Sequence, residues 1–139
     1  MKLKFYILLF ICFCTLTVVA QEAKLTATVS KNKLGVNQRL RIEFAINKQG
    51  ADNFQPPSFK NFKIVGGPSQ SVSQSWINGK VSFTQSYTYI IQPTRKGELT
   101  ILSGSIEIKG KTIESEPIKI IVLNAVDIPK DPNDPNYIA

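Results

Sequence analysis

An Asn78-Gly79 pair set between two long runs of alternating side chains constrains this chain more than any other feature. Asn-Gly favours the type I′ turn, in which both central residues take positive φ and the backbone twist suits a two-residue hairpin. The turn therefore predicts a register: Trp76 opposite Val81, Gln74 opposite Phe83 and Val72 opposite Gln85, with Ser75/Ser82, Ser73/Thr84 and Ser71/Ser86 on the other side. One face carries the aromatic bulk, continued by Tyr87, Tyr89 and Ile91 until Pro93 ends the strand. The other face is nearly all hydroxyl. Because side chains alternate with period two, a slip of one residue would bury the Ser/Thr row, so the register is strongly specified. On this reading Trp76, the only Trp, belongs to the core.

The same period runs through the rest of the chain. Leu25-Thr26-Ala27-Thr28-Val29 alternates, and Leu40-Arg41-Ile42-Glu43-Phe44-Ala45-Ile46 places Leu40, Ile42, Phe44 and Ile46 on one face. Lys31 to Gly35 and Asn47 to Asn53 have turn composition. After Pro93-Thr94-Arg95-Lys96-Gly97 come the short runs 99–101, 106–108, 112–113 and 118–123, with a Lys109-Gly110-Lys111 turn among them. No helical period is sustained. Short strands with close turn signals predict an all-β, immunoglobulin-like antiparallel β-sandwich of about seven to eight strands over residues 21–125. Residues 126–139, with three Pro and three Asp and no periodicity, read as a linker or tail.

Residues 1–20 read as a cleaved signal peptide. Lys2 and Lys4 precede an uncharged apolar run from Phe5 to Val19, the last residues before Gln21 are small or β-branched, and the sequence then turns polar. A spanning helix wants about 20 apolar residues. Cys12 and Cys14 lie inside the apolar run rather than at the cleavage point, which speaks against lipidation. Removing those 20 of the 139 residues leaves 119, with 15 basic and 10 acidic side chains and neither Cys nor His. The fold must then hold by apolar burial without disulfides. Its basic residues are scattered rather than clustered, so the charge reads as a solvated surface and not as a nucleic-acid footprint. The chain is therefore expected to be exported to the periplasm or envelope, with no membrane anchor after cleavage.

That composition also excludes most catalysis: no imidazole base, no thiol nucleophile and no Cys/His metal set. Ser30-Lys31-Asn32-Lys33 matches Ser-x-x-Lys but lies between strand and turn, without the companion motifs of penicillin-recognising enzymes. Gly110-Lys111-Thr112 looks like the end of a P-loop, yet Ser105 stands where its first Gly would be. Glu114 and Glu116 share a face near Pro117 as a solvated edge. No catalytic, cofactor or metal residue is expected, and no small-molecule substrate. Two features could carry binding. The connection from Phe54 to Phe62 concentrates three Phe and two Pro, with Phe54, Pro56, Pro57 and Phe59 as candidate partner contacts, or with Phe59 and Phe62 capping the core. The hydroxyl row could accept a ligand or an added strand, or simply be a solvated face.

Several of these residues match a known pattern. The Pro56-Pro57-x-Phe59, Gly66-Gly67-Pro68, Asn78-Gly79 and Pro93-Thr94-x-x-Gly97 elements together resemble the N-terminal region of the BatD oxygen-tolerance (aerotolerance) family, over essentially all of the chain after residue 20. The resemblance implies a non-enzymatic, exported envelope subunit built of tandem β-sandwich domains. It implies as partners envelope membrane proteins with von Willebrand factor A domains and, indirectly, a MoxR-type ATPase. It also implies later domains and a C-terminal anchor, neither of which is expected within these 139 residues. The alternative from another class is a secreted carbohydrate-binding or adhesion module using the Ser/Thr face and a few aromatics.

Overall fold

Four apolar side chains on one face of Leu40 to Ile46 need a second layer to cover them, and the rest of the chain supplies it. The computed structural model describes residues 22–127 and Asn133. The signal-peptide reading of residues 1–20 and most of the Pro/Asp tail fall outside the described residues. Ten strands follow in order: β1 (Leu25–Val29), β2 (Lys33–Gly35), β3 (Leu40–Ile46), β4 (Ala51–Gln55), β5 (Phe62–Ile77), β6 (Lys80–Pro93), β7 (Gly97–Ile101), β8 (Ser105–Ile108), β9 (Lys111–Glu114) and β10 (Ile118–Leu123). There is no helix among the described residues.

The strands form one four-stranded sheet, β1-β3-β6-β5, and two three-stranded sheets, β2-β10-β7 and β4-β8-β9. A single apolar core draws on all three. Leu25, Leu40, Ile42, Phe44, Ile46, Tyr87, Tyr89 and Ile91 come from the first, Leu34, Leu99, Ile101, Ile120 and Val122 from the second, and Ile106 from the third. The result is a β-sandwich, as the alternation predicts. At its centre the Phe44 ring meets the backbone of Gly104, where an added Cβ would stand 3.1 Å from the ring. The Gly104 N–H donates to Ser115 Oγ at 2.9 Å and its carbonyl accepts from the Ser115 N–H at 3.0 Å. These two bonds tie the β7–β8 link to the β9–β10 link and satisfy the hydroxyl of a buried serine.

Two short strands exceed the expected seven to eight. Lys33–Gly35 and Ala51–Gln55 have turn composition, yet each finds an edge to pair with: β2 lies parallel to the end of β10, and β4 lies antiparallel to β8 with a register shift between Asp52 and Gln55. Composition measures local preference, whereas an available ladder is a tertiary fact. The two turns with the clearest chemistry are as predicted. Asn78 and Gly79 have φ of 51° and 75°, and Lys109 and Gly110 have 50° and 75°, the paired positive values of a type I′ hairpin.

Candidate functional site

The β5–β6 hairpin has the predicted register throughout its outer half: Trp76 faces Val81, Gln74 faces Phe83 and Val72 faces Gln85. Its surroundings differ from expectation. β3 ends its pairing with β6 at Ile46 opposite Gln85, so beyond that rung the sheet narrows from four strands to two. From Val72 to Ile77 the ribbon projects about 17 Å past its neighbour, at about 3.4 Å per residue. No residue of β5 from Gly67 to Ile77 is buried. Trp76, expected in the core, is 73% exposed, Val72 65% and Val81 47%. The face is the one that carries the core further down the strand, but here no second layer lies across it.

These side chains form one strip. Val72, Trp76, Val81 and the half-buried Phe83 share the face of Tyr87, and Gln85 between them donates from Nε2 to Tyr87 Oη at 2.9 Å. Tyr87 stacks on Phe54, with ring centroids 4.1 Å apart and planes at 14°. Phe54 in turn lies 5.4 Å from Phe44 in the core. The strip therefore runs from the sandwich to the hairpin tip. On the opposite face Ser71, Ser73 and Ser75 are exposed, while Ser86 is buried with Oγ 3.5 Å from the Glu43 carboxylate that accepts its hydrogen bond. Hydroxyls and aromatics thus lie on opposite faces of the hairpin.

Of the four aromatic-loop candidates, Phe59 is 3% exposed and packs on Phe44 and Tyr89, with Phe62 also buried. Pro57 is buried, Phe54 is half-buried, and Pro56 is exposed. The loop caps the sandwich with most of its rings and leaves Pro56 and the outer edge of Phe54 accessible. The overhang at the tip follows from strand length. β5 and β6 are 16 and 14 residues long against seven for β3, so the hairpin outruns its sheet.

Burial raises the pKa of Tyr87 above the ordinary tyrosine value, with the Asp52 carboxylate adding to the effect. Burial does the same for Tyr89, with Tyr87 contributing second. In both, the neutral phenol is the form favoured by folding. Their stabilising contribution is therefore complete below the unfolded value of about 10 and is lost as pH rises through the raised folded values. Denaturant titrations at successive pH should show stability falling above pH of about 10, and Tyr87→Phe with Tyr89→Phe should flatten that fall. A decline unchanged in the double variant would assign the alkaline sensitivity elsewhere.

Among the described residues no group of three or more His, Cys, Asp or Glu is placed to hold a metal ion, and no helix is long and apolar enough to cross a membrane. Comparison with curated proteins returns no match. The sequence profile of the BatD DUF11 like domain matches residues 27–122, which takes in all the paired strands but the outermost residues of the first and last. By that match, over a β-sandwich whose hairpin carries the Asn78-Gly79 turn, the chain belongs to the BatD family.

Proposed function

We propose that the chain is an exported, non-catalytic protein-interaction module of a BatD-type envelope complex for oxygen or stress tolerance, and that it docks through the apolar strip of its projecting hairpin. The observation that carries this reading is Trp76. A monomer rarely leaves so large a ring unburied beside two valines and a phenylalanine. Covering the exposed part of the indole, on the order of 150 Å², would yield about 4 kcal/mol. Family membership supports an envelope role, and the basic start and apolar run of residues 1–20 support export. In this reading the partners are membrane proteins with von Willebrand factor A domains, and a MoxR-type ATPase engages indirectly. Pro56 and the rim of Phe54 extend the same contact at the sandwich end of the strip. A glycan-binding role would want a ring beside the hydroxyls, and the Ser71–Ser75 row has its aromatics on the far side of the ribbon.

The test is a comparison of the wild type with Trp76→Ser combined with Val81→Ser, each tagged at the C-terminus and crosslinked in intact cells. The double variant should keep its unfolding free energy to within about 1 kcal/mol, since both side chains are exposed. It should lose crosslinking to the von Willebrand factor A membrane protein. Undiminished crosslinking by a folded variant removes the strip from the contact. Saturable binding to envelope polysaccharide, abolished by replacing Ser71, Ser73 and Ser75, would favour the adhesion reading instead.

A further inference from the structure

A sheet edge offers unpaired N–H and C=O groups to any extended strand, and proteins blunt such edges with shortness, charge, proline or bulges. The other edge strands here are so protected. β2, β4, β7 and β9 have five residues or fewer and carry Lys33, Asp52, Glu98, and Lys111 with Glu114. β1 has five residues, flanked by Lys24 and Lys31. β5 is an edge of 16 residues, and its protection is confined to its base: Lys63, two register shifts between Ile64 and Ser69, and Pro68. From Ser69 to Ile77 the pairing with β6 is regular and the strand holds no charge.

The hairpin geometry says which groups are free. Ile77 and Lys80 flank a two-residue turn, so they form a hydrogen-bonded pair, as do Ser75/Ser82, Ser73/Thr84 and Ser71/Ser86. The even residues Gln70, Val72, Gln74 and Trp76 fall in the alternate pairs and turn their backbone groups outward. We propose that this edge pairs with the same edge of a second copy, antiparallel and centred on Gln74 opposite Gln74 of that copy. In this register Val72 of each chain stands opposite Trp76 of the other, an aromatic to β-branched pair on one face. The six backbone bonds it calls for, by the alternating pattern, come from residues whose groups already point outward. The partner's tip reaches only to Gln70, short of Pro68 and the shifted rungs.

Charge selects a second copy as the occupant. Without residues 1–20 the chain has 15 basic and 10 acidic side chains, a net charge of +5, so two copies repel over most of their surface. Between Ile64 and Thr94 the only charged residue is Lys80, which lies on β6 and not on the β5 edge, so two copies can approach along this edge without opposing charges. The buried area sets the strength. Nine residues a side at roughly 50 Å² each give about 900 Å² in all, below the roughly 1,600 Å² of a standard interface. The dimer is therefore a dissociable one. It joins two apolar strips into a single two-fold platform, and it does not depend on which envelope protein docks there.

The experiment uses the exported chain, Gln21 to Ala139, which carries no Cys of its own. A hydrogen-bonded pair on the two-fold axis has its Cα atoms about 5.5 Å apart, within disulfide reach. Gln74→Cys should therefore give a disulfide-linked dimer on mild oxidation, at least about ten-fold faster than Gln70→Cys, whose two copies lie about 27 Å apart in this register. In sedimentation velocity the wild type should associate with rising concentration, and Gln74→Lys, which opposes two ammonium groups on the axis, should raise the midpoint at least about ten-fold. Wild type that stays monomeric at about 200 µM overturns the proposal. So does linkage of Gln70→Cys as fast as Gln74→Cys, or association untouched by Gln74→Lys. Crosslinking to the envelope partner that persists in Gln74→Lys would show that loss of the dimer and loss of the docking strip are separate events.

Discussion

Replacing Phe44 by Ala is expected to lower the unfolding free energy by about 3–5 kcal/mol, enough to leave a domain of this size close to unfolding. Phe44 is fully buried at the middle of β3 and is the ring around which the others are arranged. Tyr89 meets it edge-on at 6.3 Å and 81°, and Phe54 and Phe59 lean on it at 5.4 and 6.4 Å. Across the core Gly104 also meets the ring, and a glycine has no side chain to move into the space left behind. Of the ring's neighbours, Tyr89 is held in β6, Phe59 is buried in the aromatic loop, and Phe54 of β4 is stacked on Tyr87. The void should thus stay largely open, which places the loss at the upper end for a ring deletion. Phe44→Leu, which retains most of the volume, should cost roughly half as much. Urea unfolding of the two variants measures the difference. A loss below about 1 kcal/mol for the alanine variant would mean that the two layers close over the gap.

Gly67→Ala is expected to cost about 2–4 kcal/mol, far more than a surface glycine replacement should. Gly67 has φ of 86°, and a Cβ there would stand 2.4 Å from the Thr88 carbonyl oxygen and 3.1 Å from Tyr89 Cα. The backbone region alone costs an L-residue about 1–2 kcal/mol. The overlap is with main chain, which cannot swing aside as a side chain would, so β5 must lift from β6 where the register shifts between Gly66 and Ser69. Gly110→Ala provides the comparison. Its φ of 75° is equally unfavourable, but nothing lies within 4 Å of its Cβ position. The difference between the two variants in denaturant unfolding isolates the steric part. Equal losses would show that the shifted rungs yield without strain and that only the dihedral matters.

Residue types and their spacing were enough to determine the geometry of the longest hairpin and of the central strand, though not the strand state of Lys33–Gly35 and Ala51–Gln55. The Asn78-Gly79 turn set the hairpin rung by rung, because a type I′ turn joins two strands in one register only. The period of two in Leu40–Ile46 placed four side chains in the core for the same kind of reason: alternation is a property of the strand itself. The absence of His and Cys after residue 20 bounded the chemistry before any coordinates. The family too was legible, in motifs that lie at turns and at the register shift. What alternation does not contain is the presence of a layer across the face it defines. Trp76 and Tyr87 stand on the same face of one hairpin, but the ring of Phe54 lies across Tyr87 while Trp76 stays exposed. Likewise Phe59 and Pro56 are three residues apart in one loop, yet the fold buries the first and exposes the second. Burial is settled by what arrives from elsewhere in the chain, and that is why the core strands could be read from the sequence while the exposed hairpin strip, the candidate site, could not.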